Sequence, residues 1–168
     1  IIQTKCCSKE DVFQQTLTST IYTSASESGR DVIYYNATGL HGEIRSGGTR
    51  AWRNNNPGNI RYSNWTRAHG AIGEAGNFSV FPDYETGFDA LVDLLQTNSY
   101  RNLTISQAIA RYAPPSENNT IAYQNHISRV TGLDPSLSMS SLNINQINAV
   151  ANAIVLMEGY RAGTINRF

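Results

Sequence analysis

The sequence has almost no cysteine: of its 168 residues only Cys6 and Cys7 are of that type, and they are adjacent. Neighbouring cysteines bridge poorly, and two cannot build a disulfide framework, which excludes a stapled scaffold. With no polarising histidine beside them they read as free thiols at a chain end rather than as nucleophiles. Long apolar runs are missing as well. The longest, residues 154–157, is one helical turn, so no membrane insertion is expected. The first residues lack a charged segment followed by an apolar stretch, so this segment carries no signal peptide. The absence of an initial Met reads as a piece of a larger protein. His41, His69 and His126 are far apart and lack metal-ligand spacing, so neither a metal nor another cofactor is expected. Net charge is also missing, with 13 bases against 13 acids.

What is present fits one folded domain. Hydrophobic residues are 40% and charged residues 15%, outside the disordered range. Residues 1–8 read as a linker or chain end, and residues 9–168 as a single domain that acts as a monomer. The charges are segregated. Residues 44–73 hold five arginines (Arg45, Arg50, Arg53, Arg61, Arg67) and no carboxylate, whereas residues 83–93 hold four carboxylates and no base. Arginine's planar fork suits carboxylate or phosphate groups. An anionic polymer such as peptidoglycan fits this pattern. Nucleic acid is ranked last, since the chain is neutral and shows no DNA- or RNA-binding motif.

Periodicity predicts a mostly helical chain. Ser8-Lys9-Glu10-Asp11 has the form of a capping box, and Val12, Phe13, Leu17 and Ile21 follow at helical spacing. This predicts a long helix over residues 9–27, stopped by Ser28-Gly29. Two β-type runs, residues 31–36 and 40–45, flank a turn at Gly39 and predict a hairpin. Residues 47–76 read as irregular. Further helices are expected around Phe88, Leu91, Val92 and Leu95; after the capping box at Thr104 and Gln107; around Tyr123, Ile127 and Val130; and after Asn143 and Gln146, with Ile147, Val150, Ala151, Ile154 and Met157 inward. The expected fold class is α+β, mostly α, with one small hairpin after the first long helix.

Thirteen carboxylates compete for attention. Glu10, Asp11, Asp83 and Glu85 fit helix first turns, Asp89 and Asp93 fit a solvated helix side, and Asp134 fits a turn. Glu27 stands apart: it ends the expected helix, is flanked by Ala25, Ser26, Ser28 and Gly29, and leads into the hairpin. A carboxyl at such an end faces partial negative charge and poor solvation, which suits a general acid. Position alone leaves a second reading open, an exposed glutamate at a fraying helix end. Glu74 sits in Gly73-Glu74-Ala75-Gly76 as a cleft candidate. Glu158, before Gly159 at the end of the last expected helix, is given a structural role.

Ser26-Glu27-Ser28-Gly29 resembles the helix-end Glu-Ser-Gly motif of lytic transglycosylases and autolysin-type glucosaminidases. The stretch from Glu27 through Tyr34 to Thr38-Gly39 is similar to the segment after the catalytic glutamate of phage-type lysozymes. Asn55-Asn56-Pro57-Gly58-Asn59-Ile60-Arg61 resembles a run of the autolysin-type enzymes. Gly47-Gly48-Thr49-Arg50-Ala51-Trp52-Arg53 with the asparagines that follow, Phe78-Ser79-Val80-Phe81-Pro82 and Arg111-Tyr112-Ala113-Pro114-Pro115-Ser116-Glu117-Asn118 are similar to phage virion-associated and type VI secretion lysozyme-like domains. That last resemblance spans most of residues 32–135. It implies a lysozyme-like fold and cleavage of peptidoglycan glycan strands with Glu27 as the acid. It also implies secretion or delivery to a target-cell periplasm or wall, and an immunity protein if the chain is an effector. Phage-type lysozymes carry an Asp in the hairpin where this chain has Asn36. The second carboxylate is therefore sought at Glu43 first and Asp31 second. If neither serves, single-acid transglycosylase chemistry remains.

Sugar binding calls for aromatic faces and amide donors in a groove. The candidates are Tyr34, Trp52, Asn54, Asn55, Asn56, Tyr62 and Trp65, with Tyr112 and Glu117 from the motifs above. For Tyr112, core packing is an equal reading, and residues 56–59 read equally as a tight turn with Gly58 at positive φ. The rival to an enzyme is a cell-wall-binding or virion structural module that keeps the cleft without catalysis.

Overall fold

The computed structural model describes residues 20–168. Cys6, Cys7, the capping box from Ser8 to Asp11, and Val12, Phe13 and Leu17 of the expected first helix lie outside the described residues.

The strand-forming half of the chain comes first. Strands β1 (Tyr22–Ser28), β2 (Asp31–Asn36) and β3 (Gly42–Ser46) form an antiparallel meander. Short helices α1 (Arg50–Arg53) and α2 (Asn64–Ala68) follow, then the hairpin β4 (Gly73–Ala75) and β5 (Phe78–Val80). Helices α3 (Tyr84–Gln96), α4 (Ile105–Tyr112), α5 (Thr120–Thr131) and α6 (Ile144–Glu158) make the second half, with a 3-10 turn at Met139–Ser141. The chain returns through β6 (Thr164–Arg167) to pair with β3. The strands make one mixed sheet of order β5-β4-β1-β2-β3-β6, with only β1 and β4 parallel.

This corrects the expected fold class. A six-stranded mixed sheet, not a single hairpin on a mostly helical body, forms one layer of an α/β arrangement. No lysozyme-like plan of a long helix leading into a small hairpin is present among the described residues.

The error begins at residues 20–27, which form strand rather than helix. Ile21, the last anchor of the helical spacing, is 74% exposed. The inward residues are Tyr22 and Ala25, three apart, because the register of β1 slips between Tyr22 and Ser24. An extra residue at a bulge turns a spacing of two into three, which imitates a helix. The Ser and Thr residues between them favour extended backbone over a helix interior. Gly29, expected to stop a helix, instead takes φ 61° in a two-residue turn between the paired Ser28 and Asp31.

The segment read as irregular also contains β4 and β5. Gly76 and Asn77, both at positive φ, form the turn between the paired Ala75 and Phe78. Glu74 is thus an exposed strand residue rather than part of a loop.

The helical expectations hold better. Asp83 caps α3, and capping boxes start α4 at Thr104 and α6 at Asn143. Gly132 closes α5 in the left-handed conformation. The main core joins Ala90, Leu91 and Leu95 of α3 to Ile105, Ala108 and Ile109 of α4, Tyr123 and Ile127 of α5, and Ile147, Val150 and Ile154 of α6. Met157 and Val130, expected to face inward, are exposed, since each lies in the last turn of its helix, beyond the core. A smaller cluster of Val32, Tyr34, Ala75 and Val80 packs on the sheet.

Sheet and helices meet where α3 crosses the loop after α1. A Cβ on Gly87 would lie 2.0 Å from the Asn55 carbonyl oxygen and 2.9 Å from Pro57 Cδ. Since the nearest obstacle is backbone, Gly87→Ala is expected to cost about 2–3 kcal/mol. Urea unfolding measures this, and an unchanged midpoint would show that α3 does not need this close approach.

Candidate active site

Two cavities run together across the junction of sheet and helices. The larger, about 800 Å³, is lined by the loop at Asn59 to Ser63, Trp65, Phe78, Tyr112 and the α4–α5 loop at Pro114, Glu117 and Asn118. The second, about 510 Å³, reaches from there to the β1–β2 turn and α1. Arg50, Asn59, Gly76 and Glu158 line both, so the two form one continuous cleft.

Glu27 stands on the sheet wall of the second cavity. It pairs with Val32 across β1 and β2 and therefore shares the inner face of the sheet with Val32 and with the Ala25–Tyr34 pair. One step beyond the buried part of that face, its side chain emerges exposed at the cleft. Its Oε2 accepts from the Gly76 N–H at 2.7 Å, and the left-handed turn at Gly76 presents that amide. The arrangement differs from the helix-end carboxyl expected from sequence, because the residue sits at a hairpin end.

Glu158 faces the same cavity from the other wall, at the last residue of α6. It is half-buried, and both its oxygens are held: Oε2 accepts from Asn59 Nδ2 at 2.9 Å and Oε1 from the Tyr123 hydroxyl at 2.8 Å. Neither Glu27 nor Glu158 has a basic side chain within 4 Å among the described residues. Burial, then the neighbouring Glu158, pushes the Tyr123 hydroxyl well above its ordinary pKa, and the same two causes in the same order raise Tyr112. Tyr123 thus stays a protonated donor to Glu158 at any working pH. Asn59 reaches Glu158 from a positive φ of 49°, a conformation asparagine tolerates better than most residues. Gly58 has no positive φ; its lack of a side chain admits the Tyr112 hydroxyl, which donates to the Gly58 carbonyl. Tyr112 both lines the cleft and packs on the core, so its two sequence readings are compatible.

Glu43 lies elsewhere. It is 2% exposed and lines a separate cavity with Tyr22 and Arg45. Arg45 Nε donates to its Oε1 at 2.7 Å, the Tyr22 hydroxyl donates to Oε2 at 2.8 Å, and Arg167 Nε is 3.7 Å away. The structure therefore does not bring Glu27 and Glu43 to one cleft. Asp31, the second choice, lines the Glu27 cavity.

Most of the expected sugar-binding residues are scaffold. Tyr34 is fully buried and donates to the Arg53 carbonyl at 2.6 Å. Trp52 is buried under the Arg45 guanidinium. Asn54, Asn55 and Asn56 are buried with their amides taken by backbone carbonyls. Tyr62 is half-buried and does not line the cleft. Trp65 and Glu117 do line it; Trp65 stacks on His69 at 3.8 Å, and Glu117 pairs with Arg61 at 2.9 Å. Sequence reasoning passed over Arg50, Asn59, Phe78 and the cleft role of Glu158. The signal for Glu158 was there, since it ends a helix just before a glycine.

Among the described residues no three His, Cys, Asp or Glu side chains gather as a metal site, and no helix is long and apolar enough to cross a membrane. No protein-family model matches the chain, and no curated protein matches it.

Two measurements separate scaffold from cleft. Arg45→Ala strips the main counter-charge from the buried Glu43 and is expected to cost about 3 kcal/mol or more, while Glu27→Gln at the exposed position shifts stability by about 0.5 kcal/mol or less. Equal unfolding midpoints for the two variants would refute the division. Burial also holds the Tyr34 and Tyr123 pKa values far above 10. The unfolded chain then loses protons above pH 10 that the native chain keeps, so stability is full below pH 10 and falls as pH rises past it. The expected slope is about 1.4 kcal/mol per pH unit for each such tyrosine, read from urea midpoints at pH 9 and pH 11.

Proposed function

We propose that the protein cleaves glycan strands of peptidoglycan in this cleft, with Glu27 as the proton donor and Glu158 as the second carboxylate. The observation that carries the reading is the pair of unbridged carboxylates, from β1 and α6, facing one cavity of about 510 Å³ that opens into a longer groove. Glycosidic cleavage needs a carboxylic acid for the leaving oxygen and a partner that directs water or steadies the positive charge that develops. Glu27 has one oxygen steadied by Gly76 N–H, while Oε1 has no hydrogen-bond partner among the described residues. Glu158, fixed by Tyr123 and Asn59, is the oriented acceptor.

The groove also has the chemistry to hold amino sugars. Trp65 and Phe78 offer ring faces, and Arg61 and Asn118 offer donors along the larger cavity. Arg50 and Arg61 lie over the Phe78 ring at 3.9 and 5.2 Å, which fixes both guanidinium groups beside the groove. The resemblance of the Asn55 to Arg61 and Arg111 to Asn118 segments to peptidoglycan-cleaving domains supports the same reading, because both segments contribute to this cleft. The place of action would be the cell wall, reached by secretion or by delivery into a target periplasm.

Digestion of purified peptidoglycan tests the proposal. Wild type is expected to release soluble fragments, with new reducing ends if the chemistry is hydrolysis and anhydro-sugar ends if it is transglycosylation. Glu27→Gln and Glu158→Gln are each expected to lower the rate by about a hundredfold or more, and Glu43→Gln is not expected to do so in protein that remains folded. Tight wall binding without fragment release would identify a non-catalytic wall-binding module instead, and release of peptides alone would exclude glycan cleavage.

A further inference from the structure

The second cavity carries a feature that strand cleavage alone does not require. Arg30, Arg50 and Arg53 line it together, opposite Glu27, Asp31 and Glu158. Three cations and three carboxylates thus face one space, yet among the described residues none of the six makes an ion pair within 4 Å. Each arginine is held away from those carboxylates by its own placement. Arg53 Nη1 donates to the Gly47 and Gly48 carbonyls at 2.9 and 3.0 Å, and its Nε is buried without a partner. Arg50 is held over the Phe78 ring, and Arg30 stands exposed in the β1–β2 turn. Burial first, then repulsion from Arg30 and Arg50, lowers the Arg53 pKa, a sign that the three guanidinium groups share one field.

We infer that this arginine wall is a subsite for a carboxylate of the substrate, so that the strand taken is an acidic, peptide-bearing amino-sugar polymer rather than a neutral one of the chitin type. This rests on the glycan-cleavage reading and narrows its substrate class. Guanidinium forks bind carboxylates with two parallel hydrogen bonds, and a fork without an internal carboxylate partner is free to do so. The carboxylates across the cavity argue against a continuous polyanion such as nucleic acid, which they would repel along its length. A strand with scattered carboxylates on lactyl and peptide groups, separated by neutral sugars and amides, matches a lining in which both signs alternate with aromatic faces.

The test uses the full chain carrying Glu27→Gln, to prevent turnover, and two probes: soluble glycan–peptide fragments of peptidoglycan, and the same fragments with their carboxyl groups converted to amides. Native fragments are expected to bind at least tenfold more tightly than amidated ones. Adding Arg30→Gln and Arg50→Gln, both at exposed positions, is expected to bring the two affinities within twofold. A ratio near one before the arginine changes, or a ratio that survives them, overturns the subsite. The amidation comparison needs no arginine variant, so it decides even if the triple variant fails to fold. If the fragments bind with no preference and wild type still digests the wall, the subsite falls and the glycan reading stands. If wild type neither binds nor digests, the glycan reading falls and the subsite with it.

Discussion

Three consecutive buried amides hold the two halves of this protein in register. Asn54 Nδ2 lies 3.3 and 3.4 Å from the carbonyls of Ala75 and Ser79, Asn55 Nδ2 donates to those of Phe81 and Pro82, and Asn56 Nδ2 to those of Ile60 and Ser79. These carbonyls lie in or beside the β4–β5 hairpin and in the segment leading to α3. Left unpaired in the interior, each would cost about 1–3 kcal/mol. The backbone joins in: Phe81 N–H donates to the Asn54 carbonyl, and Ile60 N–H to the Asn56 side chain. The run therefore serves as a short clamp between α1, the hairpin and the start of the helical half.

The cleft is a consequence of that clamp. With α1 fixed against β5, Arg50 and Arg53 are set on one wall, and the loop beyond Asn56 carries Asn59 across to Glu158 on α6. The β4–β5 turn, fixed at its base by the same asparagines, brings the Gly76 amide to Glu27. Both carboxylates are thus positioned by groups that lead back to residues 54–56. The residues expected from sequence to touch sugar prove to build the frame that holds the ones that do.

What could be read from the chain depended on whether the signal was local. The capping boxes at Thr104 and Asn143, the cap at Asp83 and the stop at Gly132 are complete within a few residues, and the helices start or end there. The hairpin from Asp31 to Ser46 was visible for the same reason. Strand β1 was not, because a bulge gave its inward residues the spacing of a helix. Strands β4 and β5 have three residues each, too few to show alternation, although Gly76-Asn77 is a strong turn pair. Strand β6 is exposed along its whole length and carries no hydrophobic pattern; its pairing with β3 is a long-range fact. Glu43 and Glu158 were ranked in the wrong order for the cleft for a related reason: sequence proximity to Glu27 favoured the strand residue, whereas the helix end arrives from more than a hundred residues away.

The arginine-rich run from Arg45 to Arg67 shows why charge counted along a chain does not translate into a surface. Arg45 goes inward to the buried Glu43 and also donates to the Trp52 carbonyl and Asn55 Oδ1, so it is part of the frame. Arg53 is anchored by two backbone carbonyls at the cleft wall. Arg50 and Arg61 lie over the same ring, Phe78, but only Arg61 finds a carboxylate, Glu117, across the groove. Arg67 faces solvent on α2. Five like charges in sequence thus become a buried partner, an anchor, two groove walls and one solvated residue. The acidic run meanwhile lies on α3, with Asp89 and Asp93 in solvent and Asp83 as a cap. A neutral chain can therefore present a cleft with a positive wall, since the balancing carboxylates sit on a different helix.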